Sequence, residues 1–101
     1  MLPIIQQLAK EYKATLKQLY GNELAELVLF GSYARNDFGE ESDVDFAVVL
    51  RNPDTRVAAE IAKTSVIGSR LSLKYGLMLS TLPTTLQKKT NFNARGLPGY
   101  P

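Results

Sequence analysis

Two short apolar segments, each bounded by polar residues, constrain the fold of this 101-residue chain most strongly. Residues 25–30 suit one buried strand, which stops abruptly at Gly31-Ser32. Residues 43–50 form a second strand candidate that is acidic at its start and apolar at its end. The polar, glycine-containing residues 36–42 between them predict a loop. Because this link is too short for a full crossover helix, an antiparallel or mixed pairing is as well supported as a parallel one.

Two helices and a third strand are predicted around this pair. Apolar residues recur at helical spacing over residues 3–20, and Gly21-Asn22 indicates where that helix ends. A second helix is predicted over residues 55–75, with Asp54 or Thr55 as its N-cap and a kink or break expected at Gly68.

The third strand is predicted over residues 76–82, and Pro83 is expected to begin a short polar segment. The order of elements predicts a small α/β (α+β) fold, a mixed β-sheet with helices packed on it. We expect one domain over residues 1–90 and a loosely ordered C-terminal tail over residues 91–101.

The chain contains neither cysteine nor histidine, which limits its chemistry. Disulfides, cysteine-based zinc sites and Ser-His or Cys-His nucleophile pairs are excluded. Catalysis would have to use carboxylates, Lys or Arg, hydroxyl groups or a hard metal ion. The first residues resemble neither a signal peptide nor a membrane span, so we expect a cytoplasmic protein with no membrane association.

Charge is distributed unevenly along the chain, although the net charge is only +2. All ten acids lie in residues 1–60 with six Lys or Arg, whereas residues 61–101 carry six Lys or Arg and no acid. This pattern is typical either of a surface for phosphates or an acidic partner, or of a basic surface without a ligand.

Gly31, Ser32 and Arg35 form the first candidate site. A strand that stops at Gly-Ser and enters a short helical segment exposes backbone N–H groups, which attract phosphate. Gly31 lets a phosphate approach the backbone, Ser32 can cap the turn or bond a phosphate oxygen, and Arg35 lies one turn further on. Taken alone, a Gly-Ser pair after a strand is more typical of an ordinary turn.

Asp43 and Asp45 form the second candidate site. Residues i and i+2 of a strand point to the same face, so the two carboxylates lie side by side. Like charges this close repel one another unless they are protonated or bridged by a cation, and oxygen ligands suit Mg²⁺ or Mn²⁺. A solvated strand start is the structural alternative.

The two sites together are more specific than either alone. Gly-Ser, ten further residues and Asp-x-Asp, between two apolar strands, resemble the signature of the DNA polymerase β-like nucleotidyltransferase superfamily. Within it, Gly-Ser-Tyr-Ala-Arg-Asn (31–36) and Ser-Asp-Val-Asp-Phe (42–46) are similar to the minimal nucleotidyltransferases, often the antitoxin partners of HEPN-domain toxins.

The resemblance implies a role for each motif residue. Gly31 and Ser32 would hold the β- and γ-phosphates of a nucleoside triphosphate such as ATP, with Arg35 nearby. Asp43 and Asp45 would be catalytic and would hold Mg²⁺ or Mn²⁺. A hydroxyl nucleophile would then attack the α-phosphorus and expel pyrophosphate.

One departure from the family pattern concerns a third carboxylate, which family enzymes usually place on the strand after the long helix. We expect Met78 at that position, and no Asp or Glu follows Glu60 in any register. Three alternatives stay open. The site works with two carboxylates, an acid from elsewhere (Glu40, Glu41 or Asp54) completes it, or the protein binds without catalysing.

These alternatives lead to competing functions. The first is an antitoxin that transfers AMP to a hydroxyl of a HEPN-type partner. The second is a catalytically degenerate module that neutralises its partner by binding. A small-molecule or RNA nucleotidyltransferase is third, because 101 residues leave no room for an acceptor domain; nucleic acid is not required, and homo-oligomerisation stays open.

Overall fold

A computed structural model of the chain describes residues 2–88. Its elements follow in the order α1 (Pro3–Tyr20), a 3₁₀ turn (Gly21–Glu23), β1 (Leu24–Phe30), α2 (Gly31–Arg35), β2 (Val44–Leu50), α3 (Val57–Tyr75) and β3 (Leu79–Thr85). The expected tail over residues 91–101 lies outside the described residues.

The three strands form one mixed sheet in the order β1-β2-β3. β1 and β2 are antiparallel, one of the two pairings that the short link left open, whereas β2 and β3 are parallel and are connected through α3. The predicted α+β fold with a mixed sheet is therefore confirmed.

Helices α1 and α3 cover one face of the sheet, and the main core lies between them and β2. Alternate β2 residues from Val44 to Leu50 belong to this core because successive strand side chains point to opposite faces. Tyr12 of α1 is fully buried there, with its ring edge-on to Phe46 at 5.5 Å between centroids. Its hydroxyl donates to the Thr64 carbonyl of α3 over 3.3 Å, so one side chain connects both helices and the sheet.

A second, smaller cluster of buried side chains lies on the opposite face of the sheet. It comprises Val28, Ala47 and Val49, with Ala25 and Phe30 packed against it. Asp45 has the same parity as Ala47, so the candidate carboxylate lies on the face opposite the main core.

The first helix has the predicted bounds, because it begins at Pro3 and ends at Tyr20. Gly21 ends it with a positive φ of 57° and donates its N–H to the Lys17 carbonyl. No helix within residues 2–88 is long and apolar enough to cross a membrane.

The second long helix differs from the prediction at its start. It begins at Val57 after Arg56, with no side-chain cap, so the predicted caps are wrong. Thr55 Oγ1 instead donates to the Asn52 carbonyl at 2.7 Å, and Asp54 N–H donates to Asn52 Oδ1 at 2.9 Å. Both residues therefore belong to the turn after β2.

Gly68 does not break α3, which is continuous across it. A Cβ built at Gly68 would lie 3.4 Å from the Thr81 methyl carbon, and the residue is buried. The glycine therefore lets α3 lie close to β3.

The third strand begins three residues later than predicted and continues through Pro83 to Thr85. Gly76 is the left-handed C-cap of α3, with a φ of 66°, so the strand cannot start there. Leu79, which has the same parity as Pro83, directs its N–H to Ser72 Oγ rather than to β2. Proline is tolerated at such a position because its missing N–H would have pointed to the open edge of the sheet.

Candidate functional site

Strand pairing brings the two predicted sites together. Phe30, the last residue of β1, is the registered partner of Asp45 on β2. Gly31-Ser32 therefore lies directly beside Asp45, although Asp45 follows Ser32 by thirteen residues in the sequence. The segment between them folds back, so that β2 runs antiparallel to β1. Gly31, Ser32, Asp43 and Asp45 lie at one end of the sheet.

Gly31 is positioned as only glycine could be. Its φ is 74°, a region that other residues rarely adopt. A Cβ at this position would also overlap Oδ2 of Asp45. The absence of a side chain at residue 31 therefore determines how closely the backbone approaches the carboxylate.

Ser32 and Arg35 lie on the short helix α2. Asn36 ends this helix in the left-handed conformation, with φ 66°, and donates its N–H to the Ser32 carbonyl. Asp37 N–H donates to the same carbonyl at 3.0 Å. Arg35 Nε donates to Asp37 Oδ2 at 3.2 Å across an exposed ion pair, which contributes little stability and can be exchanged for a phosphate.

The loop between α2 and β2 has two internal supports that the sequence reasoning missed. The Tyr33 and Phe38 rings stack with 4.4 Å between centroids and 4° between planes. Gly39 N–H donates to Ser42 Oγ at 2.8 Å, and Ser42 N–H donates back to the Gly39 carbonyl. The two aromatic residues on either side of Arg35 are the sequence feature from which this stacking could have been predicted.

The two carboxylates lie on either side of the fully buried Val44, so they share the opposite face of the strand. Asp43 is exposed and Asp45 half-buried. Burial raises the pKa of Asp45 above its ordinary value, the negative charge of Asp43 raises it further, and Arg35 lowers it. Neither carboxylate forms a side-chain hydrogen bond or an ion pair within residues 2–88. Arg35 instead forms its ion pair with Asp37.

These features fit a divalent cation. Two carboxylates that form no ion pair among the described residues, one of them destabilised in its ionised form by burial, are the oxygen donors that Mg²⁺ accepts. Within residues 2–88 there is no group of three or more acidic side chains able to hold a metal.

The third-carboxylate position is occupied by uncharged residues. Ser80 of β3 is the registered neighbour of Asp45, and Met78 lies just before the strand, where its carbonyl accepts the Val44 N–H at 2.8 Å. Met78 is 68% exposed.

None of the three proposed substitute acids joins Asp43 and Asp45 in a three-acid group within the described chain. Asp54 follows the opposite end of β2, and Glu40 and Glu41 are exposed loop residues. The expectation that an acid from elsewhere completes the site is therefore wrong for residues 2–88.

Comparisons with known proteins identify the family of the chain. A sequence profile described as "Nucleotidyltransferase domain" matches residues 9–93. MJ0141 of Methanocaldococcus jannaschii, named provisionally as a protein adenylyltransferase, is 38% identical over 86 residues, which are 85% of each chain. MJ0604 of the same organism, with the same provisional name, is 32% identical over 87 residues, which are 83% of this chain and 80% of the relative. The chain therefore belongs to the nucleotidyltransferase domain family.

Proposed function

We propose that this protein transfers AMP from ATP to a hydroxyl group of a partner protein. The observation that carries the proposal is the pairing of Phe30 with Asp45, which places Gly31-Ser32 beside two carboxylates. The provisional names of the two relatives support a protein as acceptor and AMP as the transferred group.

Each motif residue has a defined task in this reaction. The backbone at Gly31 and the Ser32 hydroxyl bind the β- and γ-phosphates, and Arg35 leaves Asp37 to neutralise phosphate charge. Asp43 and Asp45 would hold Mg²⁺ or Mn²⁺, and the bound ion would neutralise charge on the triphosphate and on the attacking and leaving oxygens.

The transfer itself is a substitution at the α-phosphorus. The acceptor oxygen forms a bond to that phosphorus, the bond to the bridging oxygen of the β-phosphate breaks, and pyrophosphate leaves. The acceptor hydroxyl loses its proton, which passes to water. Positioning and charge neutralisation therefore supply most of the catalysis.

We further propose that the acceptor is a HEPN-type helical protein in the cytoplasm, which the transfer silences as in a toxin–antitoxin pair. This part rests on the motif resemblance of residues 31–36 and 42–46. The assignment of the nucleotide site does not depend on this part of the proposal.

Labelling measures the transfer directly. The protein, Mg²⁺, ATP labelled at the α-phosphate and the candidate partner should give a labelled partner. Asp43→Asn should lower the rate by at least about 100-fold, since it removes one of two metal-holding carboxylates. Glu40→Gln, which changes an exposed loop acid, is the matched control. Full labelling by Asp43→Asn would falsify the metal role.

A second function, neutralisation by binding alone, is favoured by Ser80 and Met78 at the place where an acid is usual. It predicts a stable complex without ATP and full neutralisation by Asp43→Asn. Neutralisation that requires both ATP and Asp43 would exclude this function.

A further inference from the structure

A basic cavity lies at the opposite end of the sheet from Asp43 and Asp45. It has a volume of about 530 Å³, and its charged lining residues are Lys13, Lys17 and Arg51. No acidic residue of the described chain lines it. All three cations come from the acidic first half of the sequence, so the charge pattern along the chain gave no indication of this site.

The cations are brought together by two separate parts of the chain. Lys13 and Lys17 are four residues apart on α1 and so lie on one face of that helix. Arg51 follows β2, and its backbone N–H donates to the Glu23 carbonyl at 2.9 Å. Its Nε donates to the Asn22 carbonyl at 2.8 Å, which fixes the guanidinium at the cavity and leaves its other donors available.

Lys13, Lys17 and Arg51 form no ion pair within residues 2–88. The ion pairs there join Arg35 to Asp37, Lys63 to Glu60 and Lys74 to Glu11, and none involves the cavity. The nearby Glu23 carboxylate accepts the Asn52 backbone N–H, a neutral donor, and so keeps its negative charge beside the cluster. Three cations held close together repel one another, and an anion bound among them would remove that cost.

We propose that this cavity binds a phosphorylated small molecule of nucleotide size, separately from the triphosphate site. The three cations match a phosphate group, for which an arginine fork and lysine ammoniums are suited donors. The volume lies within the usual range of small-molecule pockets and exceeds what one phosphate fills. Leu24 and Ala25 supply an apolar wall for the organic part.

The two sites are too far apart for one ligand. β1 runs from Leu24 at the cavity to Phe30 beside Asp45, and six strand steps span roughly 20 Å. Ligand binding at the cavity therefore needs neither the carboxylates nor Mg²⁺.

An NMR titration tests the proposal on the full chain. AMP, added in the presence of EDTA, should saturably shift the Gly21 and Asn22 amide resonances and the Arg51 Nε–H. Inorganic phosphate is the second probe and separates the contribution of phosphate from that of the nucleoside, with AMP expected to bind more tightly.

Substitutions establish which residues bind. Lys13→Gln with Lys17→Gln should weaken AMP binding by at least about tenfold, because two charge-assisted contacts are lost. Lys10→Gln, which removes an exposed lysine of the same helix outside the cavity, should change it by less than about twofold. Absence of saturable shifts, equal weakening by Lys10→Gln, or shifts confined to the Gly31–Asp45 end would each overturn the proposal.

Failure here is distinguishable from failure of the proposed function. The Lys13 and Lys17 double variant should still bind ATP with Mg²⁺ at the other end of the sheet, and Asp43→Asn should still bind AMP in EDTA. Loss of AMP binding at Gly21 in the Asp43→Asn variant would contradict two separate sites.

Discussion

Gly31 is the residue at which backbone conformation and the candidate site constrain each other. Its φ of 74° and its contact with Asp45 both exclude a side chain, for independent reasons. Either reason alone would favour glycine at position 31, and together they exclude other residues there.

Gly31→Ala should lower the free energy of unfolding by about 1–3 kcal/mol and weaken ATP binding, because the new methyl group forces the strand end away from Asp45. Chemical denaturation and calorimetric titration measure the two effects. Gly39→Ala is the matched control, because its Cβ would meet nothing within 4 Å, and should change stability by less than about 0.5 kcal/mol. Equal losses in both variants would contradict the contact.

Asp45 predicts a pH dependence of stability in the metal-free protein. Because folding raises its pKa, the folded chain holds this proton more readily than the unfolded chain, and the ionised group opposes folding. The cost is absent at low pH and appears as pH rises through the raised pKa.

Asp45→Asn should therefore have a higher Tm than the parent chain in EDTA, by an amount that grows as the pH rises above about 4, the ordinary aspartate pKa. Added Mg²⁺ should stabilise the parent chain and not the variant. Thermal unfolding followed by circular dichroism measures both effects, with the exposed loop variant Glu41→Gln as control. A pH-independent difference would show that burial and Asp43 do not act on this carboxylate.

At the scale of elements, two glycines act on α3 in different ways. Gly68 lets the helix lie close to β3, and Gly76 caps its C-terminal end. The first glycine has an ordinary helical backbone and the second a left-handed one, so the same substitution should act oppositely at the two positions. Substitutions at Gly68 and Gly76 therefore measure the effects of helix propensity and of backbone strain separately.

Gly68→Ala should stabilise the protein by up to about 1 kcal/mol through helix propensity, since its Cβ would be in ordinary contact with Thr81. Gly68→Leu should cost about 1–3 kcal/mol by overpacking against β3. Gly76→Ala should cost roughly 1 kcal/mol because its φ is 66°. Denaturant unfolding gives all three values, and a stabilised Gly68→Leu would contradict close packing of α3 on β3.

The sequence predicted the elements whose signals are local. Helix α1 and the abrupt end of β1 at Gly31 follow from periodicity and glycine placement, and both are observed. The start of β3 was missed because Gly76-Leu77-Met78 is as apolar as a strand, although Gly76 caps the preceding helix. The pairing of Ser80 with Asp45 and the cavity at Arg51 depend on tertiary register, which no local pattern encodes.

For the whole molecule, Tyr12 is the side chain that joins both long helices to the sheet. It packs on Phe46 and bonds the Thr64 carbonyl, and burial raises its pKa well above the ordinary tyrosine value. A domain this small has one such centre, so unfolding should be a single cooperative transition.

Tyr12→Phe should lower the free energy of unfolding by about 1 kcal/mol through loss of one hydrogen bond. Tyr12→Ala should lower it by about 3–5 kcal/mol through the cavity it leaves. Leu19→Ala, at a position of the same helix that is 45% exposed, is the control and should cost less than about 1 kcal/mol. Comparable losses at Leu19 and Tyr12 would contradict a centre at Tyr12.

The two ends of the sheet differ in charge, with Asp43 and Asp45 at one end and Lys13, Lys17 and Arg51 at the other. The acidic end is the proposed site of transfer and depends on a cation, whereas the basic end does not. A single strand length separates them, so ligands at the two ends can be studied independently.

Calorimetric titration of ATP with Mg²⁺ tests the central claim most directly, namely that Gly31-Ser32 and Asp43-Val44-Asp45 form one nucleotide site. Saturable binding is expected for the parent chain and for Glu40→Gln. Asp45→Asn and replacement of Mg²⁺ by EDTA should each weaken it by at least about tenfold. Unchanged Mg²⁺-dependent binding by Asp45→Asn would contradict the account.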